Sequence, residues 1–135
     1  MGATADTSAN IYMSMLTSDA WRELSAKQQV LYIYCKAQYY GEKTKATGNP
    51  LAFTMNQSKW RDLYGLYKKN DEKSFYRDIA ALIEKGFIVC LESGATTRTK
   101  SIYAFSDKWR QYGTEAFKIL PEEMTLPMLK KLHKK

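Results

Sequence analysis

The sequence predicts an α+β fold, with three helices around one core and a small antiparallel sheet, on three observations. Ser25-Ala26-Lys27-Gln28 is a capping box, and helical apolar spacing follows it. Two more helical periods come next, one stopped by Gly65 and one by Gly86, with a short polar connector between them. After Gly86, the β-prone run Phe87–Leu91, a polar Gly/Thr loop and the returning run Ile102–Phe105 form a hairpin pattern.

The chain has 135 residues, enough for one domain with a single good core. Apolar residues make up 44%, which excludes a solvated tail. The net charge is +7 and is unevenly spread. Residues 1–56 hold five Lys/Arg against four Asp/Glu, residues 57–117 eleven against eight, and residues 118–135 five against two. A basic excess favours polyanionic partners through phosphate neutralisation and counterion release. Cys35 and Cys90 lie far apart in apolar runs and read as reduced core residues of a cytoplasmic protein. No apolar run reaches the length of a membrane span, so no membrane association is expected.

Residues 1–10 are polar and read as a disordered leader, 11–113 as the domain, and 114–135 as a helical, basic C-terminal extension. Asn10–Leu16 alternates Ile11, Met13 and Met15 with polar or exposed-type residues, which suggests a short strand or extended arm. Trp21 and Leu24 suggest one or two helical turns over Ser18–Leu24. Behind the capping box, Val30, Ile33, Tyr34 and Ala37 mark a buried stripe on a helix that ends near Tyr40 and Gly41. Glu42–Pro50 is a loop, and Leu51–Met55 a strand. Asn56 reads as an N-cap for a second helix, Gln57–Tyr64, with Trp60, Leu63, Tyr64 and Tyr67 in i, i+3, i+4, i+7 spacing. Phe75, Ile79, Leu82 and Ile83 form the stripe of the third helix. Ser106 or Asp107 caps a short helix carrying Trp109 and Tyr112. Thr125 caps a final helix with Leu126, Leu129 and Leu132 on one face, ending in Lys130, Lys131, Lys134 and Lys135.

The order helix, strand, helix, turn, helix, strand, loop, strand is that of a winged helix-turn-helix, with a three-helix core and a small β-wing. In such a unit the third helix enters the DNA major groove and its N-terminal residues face base edges. With the apolar stripe inward, Lys73, Ser74, Arg77 and Asp78 fall on outer or flanking faces. Arg77 suits two hydrogen bonds to a guanine edge. Lys68, Lys69 and Lys73 suit phosphates at the groove entrance, and Lys59 and Asn70 are further DNA-binding candidates. A solvated helix face of mixed charge would give the same pattern, and Asp78 and Glu84 fit that alternative. The wing loop offers Thr96, Thr97, Arg98, Thr99 and Lys100, with no apolar side chain larger than Ala, for phosphate or minor-groove contact.

Leu24-Ser25 followed by Leu31-Tyr32-x-Tyr34 resembles the opening of winged-helix domains in replication initiators of Gram-positive plasmids and phages. Leu63-Tyr64-Gly65-Leu66, then Ile79-x-x-Leu82-Ile83-x-Lys85-Gly86-Phe87-Ile88, resembles their helix-turn-helix running into the wing. Accessory proteins of conjugative elements share this fold. The resemblance spans roughly residues 11–112 and is fold-level. It implies binding of double-stranded DNA on a mobile genetic element, marking an origin for conjugative transfer or replication, with a relaxase or replication initiator as protein partner. Local transcriptional control, or a protein–protein adaptor without DNA binding, is the alternative. One departure stands out: Gly65 to Leu82 exceeds the usual spacing by about one helical turn, and the added residues fall in Tyr67–Glu72.

Catalytic patterns are poor. His133 is the one histidine, so a Ser/His/Asp arrangement or a His/Cys metal site lacks members. No Gly-rich phosphate loop is present. The expectation is a non-enzyme with no catalytic residue, metal or cofactor.

Overall fold

A computed structural model describes residues 10–41, 48–92 and 101–124. They form a mixed α+β arrangement whose one sheet has three antiparallel strands. The chain begins with two single-turn helices, α1 (Met13–Leu16) and α2 (Asp19–Arg22). The expected strand or arm over Asn10–Leu16 is therefore a helical turn, with the Met15 and Leu16 amides donating to Tyr12 O. The alternation there misleads: Met15 is fully buried, but Met13 is 75% exposed. Ser18 joins the two turns, its hydroxyl donating to Met15 O and accepting from the Trp21 amide, which caps α2.

The long helix α3 (Ala26–Gly41) opens on the expected capping box. The Gln28 amide donates to Ser25 Oγ at 3.2 Å, and the Ser25 amide donates to Gln28 Oε1 at 3.0 Å. Its buried face differs from the expected one. Leu31, Tyr32, Cys35 and Gln38 are buried, whereas Val30 is 38% and Ile33 45% exposed. Both stripes have helical spacing, and the aromatic contacts decide between them. Tyr32 meets Trp21, Phe87 and Phe105 edge-on at 5.5–5.6 Å, contacts available to that face only.

Strand β1 (Ala52–Thr54) leads to a π-helical turn, Ser58–Leu63, where the sequence predicts an ordinary α-helix. Asn56 caps it, its Oδ1 accepting from the Ser58 amide at 3.1 Å. The widened turn, with the Tyr64 amide donating to Lys59 O, changes the helical phase. Trp60 stays buried, but Leu63 is 60% exposed, and Tyr67 reaches the core from beyond the turn.

Helix α4 (Glu72–Glu84) buries Phe75, Ile79, Leu82 and Ile83 as the periodicity requires. Gly86 closes it at φ +87°, with the Phe87 amide donating to Leu82 O and the Gly86 amide to Ile83 O, the two bonds of a Schellman motif. Strands β2 (Ile88–Glu92) and β3 (Ile102–Phe105) pair with Cys90 opposite Tyr103, and β1 pairs on the far side of β3 with Phe53 opposite Tyr103. The sheet order is thus β1-β3-β2. Helix α3 packs against both α4 and β1. Phe53 stacks on Phe105, and Trp60 on Phe75 at 4.9 Å.

A 3-10 turn at Lys108–Gln111 follows, with Ser106, not Asp107, accepting from the Lys108 amide. Trp109 stacks on Phe87, and Lys85 joins Glu23 and the Tyr112 hydroxyl, tying the end of α4 to the end of α2. Residues 114–124 fold back on the domain: Phe117 meets Tyr112, Ile119 packs on the core, and Pro121–Glu123 lies against β2. The expected leader up to Ala9 and the expected helix from Thr125 with its lysines lie outside the described residues.

Two glycines separate conformational strain from crowding. Gly65 has φ +62° with open space around it, whereas a Cβ on Gly86 would sit 2.6 Å from Trp109 N and 2.8 Å from Lys108 C. Gly65→Ala should cost about 1 kcal/mol, the left-handed penalty alone. Gly86→Ala should cost clearly more than that, because backbone must move as well. Urea unfolding of both variants checks the order, and equal costs would contradict it.

Candidate nucleic-acid interface

The connector between the π-helical turn and α4 is the segment that exceeds the expected spacing. It is an ordered turn. The Leu66 and Tyr67 amides donate to Trp60 O, the Lys68 amide to Asp71 Oδ2 at 3.2 Å, and the Asp71 amide back to Lys68 O at 3.0 Å. The Phe75 amide then donates to Asp71 O and starts the helix. Lys68, Lys69 and Asn70 stand exposed at its apex. One turn further, Lys73 is exposed and Ser74 half-buried, and the Arg77 side chain is 70% exposed. Lys59 lies half-buried in the π-helical turn. Thr96, Thr97, Arg98, Thr99 and Lys100 lie outside the described residues.

Asp78 corrects the sequence expectation. The charge pattern puts it on an outer or flanking face, but it is 1% exposed. With Phe75, Ile79 and Leu82 it completes an i, i+3, i+4, i+7 stripe, so the helix itself points it inward. A buried carboxylate must find donors. Tyr67 OH donates to its Oδ2 at 2.7 Å, and Gln28 Nε2 to its Oδ1 at 3.2 Å. The Arg77 Nε–H points to the same Oδ1 at 3.5 Å. Burial, and then donation to Asp78, pushes the Tyr67 phenol well above its usual range, so it stays a donor at neutral pH. The signal for this is present in the sequence: an acidic residue completes an otherwise apolar stripe.

Lys27 is a residue that sequence reasoning misses. Its Nζ donates to Leu66 O at 2.6 Å and stands 4.7 Å from the Tyr67 ring centre, which adds a cation beside the connector. Its carbonyl partner lies 39 residues away in sequence, and no local pattern announces it.

Three acids of this region have partners or are buried, while Glu84 is exposed at the end of α4. Asp71 accepts from the connector, Glu72 accepts from Gln57 Nε2 at 3.0 Å, and Asp78 is buried. The cations are left facing outward. Both cysteines are buried, and burial pushes both thiols up, that of Cys90 to about 11, so they are protonated at neutral pH. Among the described residues, no group of three or more His, Cys, Asp or Glu could hold a metal ion, and no helix is long and apolar enough to cross a membrane.

Removing the Tyr67 hydroxyl leaves a buried carboxylate oxygen without its donor. Tyr67→Phe should therefore cost about 1–3 kcal/mol of stability, whereas Lys69→Ala on the exposed apex should stay within about 0.5 kcal/mol. Chemical denaturation of the two variants beside the wild type checks this, and a neutral Tyr67→Phe would contradict the network.

No family model, curated protein or solved structure matches this chain.

Proposed function

We propose that the chain is a winged helix-turn-helix protein that binds double-stranded DNA, with α4 in the major groove. The observation that carries this is the separation of charge on the connector and α4. Lys68, Lys69, Lys73 and Arg77 are turned outward, while Asp78 is buried against Tyr67 and the half-buried Asp71 accepts from the Lys68 amide, which leaves Glu72 as the exposed acid among residues 68–78. The sheet order β1-β3-β2 is compatible with the fold, with β1 beside the hairpin that follows the third helix. In this reading the lysines neutralise phosphates and Arg77 meets a base edge. In the same reading Arg98 and Lys100, which lie in sequence between β2 and β3, contact the backbone or the minor groove.

The biological setting follows from the sequence resemblance. The protein serves as a cytoplasmic accessory factor of a bacterial mobile element. It marks an origin for transfer or replication and helps a relaxase or replication initiator engage it. It performs no chemistry itself.

Duplex-binding titrations at several salt concentrations test the DNA interface. Affinity of the wild type should fall steeply with salt. Lys68→Ala, Lys69→Ala and Lys73→Ala together should lower the log–log slope by roughly 0.9 for each phosphate that is no longer neutralised. An unchanged slope in the triple variant would remove the connector from the interface. Binding of a protein partner with little salt dependence, and of no duplex, would favour the adaptor alternative.

A further inference from the structure

The Asp78 network has a feature beyond stability: it ends on the surface at Arg77. We propose that the buried Asp78 carboxylate is a positioning residue that holds the Arg77 guanidinium ready for a guanine edge, anchored through Gln28 to the cap of α3. This rests on the reading of α4 as the groove-facing helix.

The geometry is a chain of shared groups. Gln28 is held at both ends of its amide: Oε1 accepts from the Ser25 amide, and Nε2 donates to Asp78 Oδ1. Asp78 is held at both oxygens, because Oδ2 accepts from Tyr67 OH. The carboxylate therefore cannot rotate without losing a partner. Its Oδ1 faces Arg77 Nε at 3.5 Å, long for a hydrogen bond, so charge attraction does most of the orienting.

The contact uses the Nε side of the guanidinium and leaves the terminal amino groups to solvent, on a side chain 70% exposed. Two terminal donors in a fixed plane are what a guanine O6/N7 edge accepts. An unheld Arg would lose rotamer freedom on binding, and one already tethered loses less. Arg77 and Asp78 thus act as one unit, the first touching DNA and the second acting through it.

A double-mutant cycle on the full chain tests this, with wild type, Arg77→Ala, Asp78→Asn and the double variant. Each is titrated with the duplex that the wild type selects from a random-sequence pool, and with versions of it in which each guanine is replaced in turn. Asp78→Asn should weaken binding roughly 2- to 20-fold and reduce guanine preference at one position. It should have no further effect once Arg77 is Ala. An equal loss with and without Arg77, or intact guanine preference, would overturn the proposal.

A second measurement needs no DNA: the relaxation of the Arg77 Nε–H resonance in the free protein. It should report an ordered side chain in the wild type and a mobile one in Asp78→Asn; equal mobility overturns the tether. If Asp78→Asn fails to fold, Gln28→Met removes one anchor of Asp78, and it should loosen Arg77 in the same measurement. A wild type that binds no duplex would defeat the DNA reading, while the relaxation result would still decide whether Asp78 holds Arg77.

Discussion

A carboxylate inside a protein core is costly unless its oxygens are supplied with donors, and Asp78 is such a group. Its donors come from three stretches of chain. Gln28 belongs to the first turn of α3, Tyr67 to the connector, and Arg77 to α4 itself. Satisfying one buried charge thereby fixes the position of α3, the path of the connector and the roll of α4 about its axis. An apolar residue at 78 would pack in the same stripe but would make no directional demand on Tyr67 or Gln28. The long connector needs that demand, since Tyr67 is its one fully buried side chain among residues 65–71.

The same constraint sorts the charges. Tyr67 pulls the start of the connector inward, and Asp71 closes a turn on the Lys68 amide, so the residues between are thrown to the surface. Those residues are Lys68, Lys69 and Asn70. Lys27 is drawn to the same place by the Leu66 carbonyl and the Tyr67 ring. A nearly balanced local sequence thus presents a cationic outer face. Polyanion binding depends on that presented face more than on the formal sum of charges. The connector, residues 65–71, is the material from which this face is built.

Much of the fold is legible in the sequence because its signals are local. The Ser25–Gln28 box, the stripe of α4, the stop at Gly86 and the strand Ile102–Phe105 each depend on residues a few positions apart, and each is present. The failures have a common cause, which is competition settled by distant partners. Helix α3 carries two plausible apolar stripes, and only the positions of Trp21, Phe87 and Phe105 select the one with Tyr32. The π-helical turn at Ser58–Leu63 shifts the phase, so Leu63 is exposed although its spacing from Trp60 is that of a buried pair. At Asp78, charge argues for an outward side chain and place in the stripe for an inward one, and the donors from Tyr67 and Gln28 decide for the second. Of the candidate site, the exposed cations of the connector and α4 are readable by elimination from the apolar face. Lys27, Gln28 and Tyr67 are not, since their roles exist only once the chain has folded.

In the proposed function, the outer face of the connector and α4 meets DNA. The most direct measurement is amide chemical-shift mapping of the full chain during titration with duplex DNA, repeated at high salt. Shifts concentrated at residues 68–77 that fade as salt rises are expected. Shifts confined to the exposed Val30 and Ile33 face of α3, or insensitive to salt, would contradict it.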